Sequence, residues 1–414
     1  MRVGIVGLGY VGLPLLVAFG REGHEVTGFD VSEKVVSALS SGSSHVEDIA
    51  DSDLAEVAGL ATYTTDPEAL AECDTLIICV PTPLTGNREP DLGPLESSAE
   101  TISKVLRAGQ MVILESTTYP GTTRECLVPI LENSGLTAGT DFAVAYSPER
   151  VDPGRTDHTL RTTPKVVGGL TDECRQRAVD LYSIVCDEVL PVSSTEAAEL
   201  TKLLENIFRS VNIALVNELA MLADRMDIDI WEVVGAAATK PYGFMGFEPG
   251  PGMGGHCLPV DPFYLAWRAR QFDMSTEFIE LAGKVNQQMP YYCVERVTRA
   301  LNGQGKSLNG SNVFLVGVAY KAGVGDMREA PALKIARLLQ DAGANVSFHD
   351  PHVESIPSLS LESVDLESGL AACDLAVIVT AHPSVDHDHV VAKAPWTLDL
   401  RGVTGPDGDS SERL

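Results

Sequence analysis

The sequence predicts an α/β protein with two doubly wound domains, joined by a long central helix and a helical middle domain. Three observations carry that prediction. Short apolar, β-branched runs alternate with helical patterns at the N-terminal end, the same alternation returns at the C-terminal end, and residues 195–226 between them contain no Pro or Gly. Continuous apolar strands separated by helices imply a parallel sheet covered on both faces, because crossover connections place helices there.

In the first half the strand-like runs are 3–6, 25–29, 75–80, 111–114 and 142–146, with a helical pattern over 13–22 after the first. In the second they are 312–318, 345–349 and 375–379, with a helical pattern over 331–342. Ala71-Glu72-Cys73-Asp74 precedes one strand much as Ala371-Ala372-Cys373-Asp374 precedes another, and Gly23-His24-Glu25-Val26 resembles Gly343-Ala344-Asn345-Val346. These matches predict a degenerate internal duplication; reuse of one turn chemistry is the alternative source of matches so short. Between the halves, Ser194 or Thr195 is the expected N-cap of the long helix, with Glu196 and Glu199 placed to favour its dipole. A second helical stretch, 276–301, is expected to be interrupted at Pro290. The expected domains are 1–194, 195–305 and 306–414, the middle one bridging its neighbours and supplying a subunit interface.

The chain has 414 residues with 30 Lys+Arg against 58 Asp+Glu, a formal net charge of −28. So acidic a surface repels phosphate backbones and anionic lipid headgroups, which excludes nucleic acid and membrane surfaces as partners. Salt adaptation or plain solubility is the other source of such acidity. Eight cysteines without a C-x-x-C pair fit a reducing compartment, with neither a disulfide framework nor a metal site. The N-terminus enters an apolar strand at once, without a signal-peptide core, and no stretch approaches the roughly 20 apolar residues that span a bilayer. A cytoplasmic protein is expected.

Gly7-Leu8-Gly9-Tyr10-Val11-Gly12 follows the first strand and opens the first helix. Glycines there let the backbone turn tightly and approach a pyrophosphate, which sits on the helix N-terminus. An acidic residue, Asp30, ends the second strand, where a carboxylate accepts ribose hydroxyls and repels a 2′-phosphate; NAD is the expected cofactor. A tight turn without ligand is the plainer reading. Further on, Gly250, Gly252, Gly254 and Gly255 crowd ahead of Cys257 in residues 248–262. Glycines let a ligand press against backbone amides, and a thiol there becomes a nucleophile if its thiolate is stabilised, although a single Cys is more often a small buried hydrophobe. Lys202 and Asn206 share one face of the long helix, with apolar residues around them. Two polar, turn-rich stretches, 115–122 and 146–154, follow predicted strands and so lie at the carboxyl edge of the sheet, where doubly wound folds bind ligands.

Taken together, these separated motifs resemble the nucleotide-sugar 6-dehydrogenases, the UDP-glucose/GDP-mannose dehydrogenase family, over the span from Gly7 to Arg401. The resemblance implies a four-electron oxidation of a sugar C6 hydroxyl to a carboxylate with two NAD. It implies that Cys257 attacks the intermediate aldehyde, that Lys202 and Asn206 stabilise the oxyanion, and that Asp261 positions or activates water. Thr117 would orient a catalytic water, and Glu149 would serve proton transfer. Gly7, Gly9, Tyr10, Val11, Gly12, Asp30, Thr82, Thr117 and Arg328 would hold NAD. Glu149, Arg150, Lys202, Asn206, Gly254, Lys321 and Arg401 would hold the nucleotide sugar. Val260 and Pro153 depart from the UDP-glucose branch, which carries Lys and Glu at those places, and Asp152 is one position from the missing glutamate. Together with residues 240–244, these departures resemble the branch acting on UDP-N-acetylglucosamine or UDP-N-acetylmannosamine; UDP-glucose or another nucleotide hexose is the alternative. A homodimer or a larger homo-oligomer is implied. Two other readings are a two-electron hydroxy-acid dehydrogenase, which needs no nucleophilic thiol, and a non-catalytic NAD-binding protein.

Overall fold

A computed structural model describes residues 1–86, 89–151, 158–255, 260–408 and 410–414. The chain divides into two compact units, Met1–Glu205 with Phe263–Met274, and Asn206–Pro262 with Ser275–Leu414. The division falls within one continuous helix, Thr195–Arg225. Ser194 caps it, its hydroxyl accepting from the Ala197 amide at 3.2 Å.

The first unit is built on an eight-stranded sheet. Its strands are β1 (Arg2–Val6), β2 (Glu25–Phe29), β3 (Ala61–Thr64), β4 (Thr75–Ile78), β5 (Met111–Leu114), β6 (Ala143–Tyr146), β7 (Lys165–Gly169) and β8 (Val189–Val192), in the order β3-β2-β1-β4-β5-β6-β7-β8. The order reverses between β1 and β4, the switch point whose carboxyl edge forms a ligand crevice. Alternate residues feed opposite faces. Val3, Ile5, Ile77 and Ile113 pack with Leu13, Leu16 and Phe19 of helix Gly12–Arg21. Val6, Leu76, Ile78, Val112 and Leu114 pack with Leu95, Ile102 and Leu131 on the other side.

One pair departs from the parallel expectation: β6 and β7 are antiparallel, with Ala145 opposite Gly169 and Tyr146 opposite Gly168. Among the described residues of 147–164 there is no helix to carry the chain back across the sheet, so β7 returns directly beside β6. The sequence patterning had also passed over β3, β7 and β8. β3 is half-exposed, β7 opens on a charged residue, and β8 holds Pro191, which an edge strand tolerates.

The second unit carries β9 (Asn312–Val316), β10 (Asn345–His349), a two-residue ribbon of β11 (Ser355–Ile356) and β12 (Leu361–Glu362), then β13 (Leu375–Ile378), β14 (Thr397–Asp399) and β15 (Ser411–Arg413). Its main sheet runs β10-β9-β13-β14-β15, parallel throughout. Helices Pro331–Asp341 and Glu277–Gly303 cover the face of Val313, Leu315 and Val377. Helix Glu277–Gly303 runs unbroken through Pro290, contrary to the expected interruption. Pro290 is buried, and the Asn286 carbonyl it leaves without a helical donor faces the backbone of Gly252, so packing outweighs a local cost of about 3 kcal/mol.

The matched sequence pairs mark the same corner in both sheets. Asp74 accepts the Arg2 amide at 2.9 Å and donates to the Arg2 carbonyl at 2.8 Å; Asp374 does the same with Asn312 at 2.7 and 2.8 Å. Asp350 stands after β10 where Asp30 stands after β2. Its Oδ2 accepts from the Val318 and Ala319 amides at 2.7 and 3.1 Å and lies 3.0 Å from Nε2 of fully buried His382. The Gly323 amide donates to Nδ1 of that ring at 3.1 Å, which assigns the proton to Nε2. Burial alone would raise the Asp350 carboxyl, but His382 and the backbone amides hold it down at about 2. No helix among the described residues is long and apolar enough to cross a membrane.

Phe314 is fully buried against Gly369. Phe314→Ala is expected to lower stability by about 3–5 kcal/mol, read as a shift in the urea midpoint.

Candidate active site

The glycine turn after β1 divides its tasks among three positions. Gly7 has φ +94°, in the left-handed region. A Cβ on Gly12 would lie 1.9 Å from the Gly7 carbonyl oxygen, whereas a Cβ on Gly9 would meet nothing within 4 Å. The outer glycines therefore serve the turn itself, and the middle one leaves open space at a helix N-terminus, as a pyrophosphate requires. Tyr10 and Val11 complete the turn. Asp30, at the end of β2, accepts from the Leu8 amide at 3.0 Å and the Ser32 amide at 2.9 Å, which fixes its carboxylate beside the glycines. These residues fit a dinucleotide. Thr82, after β4, donates to the Thr117 carbonyl at 2.6 Å, tying together two predicted cofactor residues at the carboxyl edge.

The loop after β5 is anchored to the long helix by a residue whose role the sequence did not reveal. Glu199 is fully buried and accepts from the Gly121 amide at 2.6 Å, the Thr123 amide at 2.8 Å and the Thr123 hydroxyl at 2.7 Å. Burial pushes its carboxyl up to about 7, against the pull of those donors. Glu196, expected beside it as a dipole partner, pairs with Arg124 at 2.7 Å. The Tyr119 ring packs on Trp267, 5.0 Å between centroids, closing the loop from the other side.

Lys202 follows one turn after Glu199 and is buried. Glu149, in the loop after β6, accepts from the Val151 amide with Oε1 and places Oε2 3.9 Å from the Lys165 ammonium. Arg150 is held by Glu205 at 2.7 Å and the Pro164 carbonyl at 2.5 Å.

In the second unit, buried Asn206 donates to Oδ2 of Asp261, the first residue of helix Asp261–Arg270. Two buried asparagines missed by the sequence reading hold the glycine-rich loop. Asn217 accepts from the Gly250 amide at 2.9 Å and donates to Asn286 at 3.0 Å, while Asn286 donates to the Ser210 carbonyl at 3.1 Å. No signal in the sequence singles them out, since Asn286 precedes Gln287 and Gln288 and Asn212 lies five positions before Asn217. Gly254 and Gly255 are pressed against Tyr320; a Cβ on either would come within 3.0 Å of that side chain. Gly250, Gly252, Phe247, Glu248 and Arg401 line a cavity of about 290 Å³. Burial pushes the Arg401 guanidinium below its ordinary range, with Glu248 and Asp399 opposing. Arg328 is clamped by Asp326 at 2.6–3.0 Å, and Lys321 is half-buried beside Tyr320. Cys257, Asp152 and Pro153 lie outside the described residues. Among the described residues no group of three metal-ligating side chains comes together.

Residues 1–186 match the NAD binding domain of the UDP-glucose/GDP-mannose dehydrogenase family, 196–288 its central domain and 314–406 its UDP binding domain. Protein CapL of Staphylococcus aureus is 37% identical over 100% of this chain and 99% of that protein. A UDP-N-acetyl-D-glucosamine 6-dehydrogenase of Pseudomonas aeruginosa is 39% identical over 86% of this chain and 84% of its own. The solved UDP-D-ManNAc dehydrogenase of Pyrococcus horikoshii superposes with a TM-score of 0.91 at 34% identity, covering 100% of this chain and 99% of that one.

Because Glu199 binds its proton more readily folded than unfolded, it supports the fold most fully below pH 4.5, and that support declines as pH rises through about 7. Glu199→Gln is expected to remove this share of the pH dependence, on the order of 3 kcal/mol. Urea unfolding at pH 5 and pH 8 measures it.

Proposed function

The chain belongs to the UDP-glucose/GDP-mannose dehydrogenase family, and from that premise we propose that it oxidises the C6 hydroxyl of UDP-N-acetylglucosamine or UDP-N-acetylmannosamine to the uronic acid. The observation that carries the reading is the buried pair Lys202 and Asn206, one turn apart beside buried Leu203 and Ile207, with Asn206 bonded to Asp261. The names of the relatives favour the N-acetylated sugars.

NAD, when bound, supplies the hydride acceptor for each of the two oxidations. Lys202 and Asn206 stabilise the oxyanion at C6, an ammonium and an amide donor already oriented and requiring no solvent reorganisation. Cys257 adds its sulfur to the C6 aldehyde, which prevents release of a reactive intermediate and holds the carbon for the second oxidation. Hydrolysis of the resulting thioester returns the thiol and delivers the acid. Asp261 and Thr117 position the water, and Glu149 takes up its proton. Arg401 and Lys321 hold the nucleotide sugar, Gly254 lets it approach, and Arg150 orders the loop of Glu149. Arg328 and Thr82 complete the cofactor side. The proposed domains are 1–194, 195–305 and 306–414.

A second copy of the chain is the proposed partner. The long helix exposes Leu200, Leu204, Phe208, Leu215, Leu219, Leu222 and Met226 at successive turns, an apolar stripe that a dimer would cover. The proposed setting is the cytoplasm, and the product a precursor for surface polysaccharide.

Two NADH per sugar consumed are expected by absorbance with UDP-N-acetylhexosamines, and no acid from Cys257→Ala. One NADH per turnover overturns the four-electron reading, and a preference for UDP-glucose overturns the N-acetyl one. Leu204→Glu with Leu215→Glu is expected to shift the protein to monomer in sedimentation.

A further inference from the structure

Glu115, Lys165 and Tyr182 form a buried charged cluster behind the β6 loop, and none of the proposed reaction steps uses it directly. Glu115 follows β5 and Lys165 opens β7; their side chains are 0% and 3% exposed. The Lys165 ammonium bonds Oε1 of Glu115, and the Tyr182 hydroxyl bonds Oε2. Both oxygens of Glu115 are thereby engaged, and the lysine is fixed at its far end. On its other side the ammonium lies 3.9 Å from Oε2 of Glu149, which is 18% exposed. β6 and β7 pair with Ala145 opposite Gly169 and Tyr146 opposite Gly168, so the loop that carries Glu149 leaves the sheet beside the strand that Lys165 opens.

We infer that Lys165, locked by Glu115 and Tyr182, is a positioning residue that fixes where the Glu149 carboxylate points during the reaction. The inference rests on the reading of Glu149 given above. Two carboxylates and one ammonium share a small, water-poor volume, so the charge on one depends on the others. Burial pushes Glu115 up to about 7, Lys165 opposing and Glu149 adding to the rise. Burial alone would lower Lys165, but the two carboxylates hold it up. The other titratable groups facing the cluster stay neutral: burial raises the thiols of Cys79 and Cys186 and the phenol of Tyr182. Glu149 thus faces an ammonium whose other partner is a carboxylate that solvent does not reach.

The test is the pH profile of kcat for NADH formation with a UDP-N-acetylhexosamine, on protein shown to be folded and to bind NAD. Lys165→Met leaves two carboxylates facing each other, so the acid limb is expected to move up by about one pH unit. Glu115→Gln gives Glu149 the whole of the lysine's attraction, so the limb is expected to move down. Lys165→Arg should restore most of the native profile. KM for the sugar should change less than kcat. Tyr182→Phe, the mildest change in volume, should shift the limb in the direction of Glu115→Gln, and it keeps the inference testable if the charge variants do not fold. Limbs that coincide with wild type in folded variants overturn the positioning role, since a merely structural cluster would lower the melting temperature and leave the profile in place. Glu149→Gln separates the two levels. Loss of turnover there, with unmoved limbs in the others, overturns this inference alone; full activity there overturns the assignment of Glu149 itself.

Discussion

A helix that turns polar side chains inward must find a partner for each of them, because an unpaired polar group in a protein interior costs more than its hydrogen bond returns. Helix Thr195–Arg225 lives under that constraint. Glu199, Lys202, Asn206 and Asn217 are all buried and fall three, four and eleven residues apart, along one side of the helix. Glu199 engages a loop of the first unit, while Asn206 and Asn217 engage Asp261 and the glycine-rich loop of the second. The opposite side carries exposed leucines. The helix thus departs from a surface helix, whose far side is polar: it buries Leu203, Ile207 and Val216 beside those polar groups and is apolar outside as well. The helix is therefore a scaffold for loops: Glu199 fixes the one after β5, and Asn217 the glycine-rich one.

The acidity of the chain acquires a narrower meaning in this setting. Only 10 of its 30 basic residues are lysines, and two of those, Lys165 and Lys202, are buried. A buried ammonium survives only with compensation, and at Lys165 it comes from two carboxylates. In a chain this acidic, these two ammonium groups are interior charges, set apart from the surface where most of the basic residues lie.

Much of the fold was legible because doubly wound sheets write their core strands as uninterrupted apolar runs; β2, β4, β5, β6, β9, β10 and β13 lie within predicted segments, and β1 starts one residue ahead of its own. The missed strands are short, edge-placed or opened by a charged residue, and their pairing is decided by tertiary position. The glycine turn was legible for a different reason: its residues answer to local backbone geometry, which spacing records. Glu115 and Lys165 left no such trace. They stand fifty positions apart, and a charged residue that will be buried against its partner reads in isolation like any solvated one. Pro290 misled in the opposite sense, because a local helix breaker was overruled by the packing around it.

Asp30 and Asp350 stand at corresponding corners of the two sheets but in different surroundings. At the first, backbone amides alone hold the carboxylate. At the second, the buried imidazole of His382 fills the place beside the acid. Carboxylates at corresponding corners therefore sit in different chemical company, one open above a glycine turn and the other closed off by a ring.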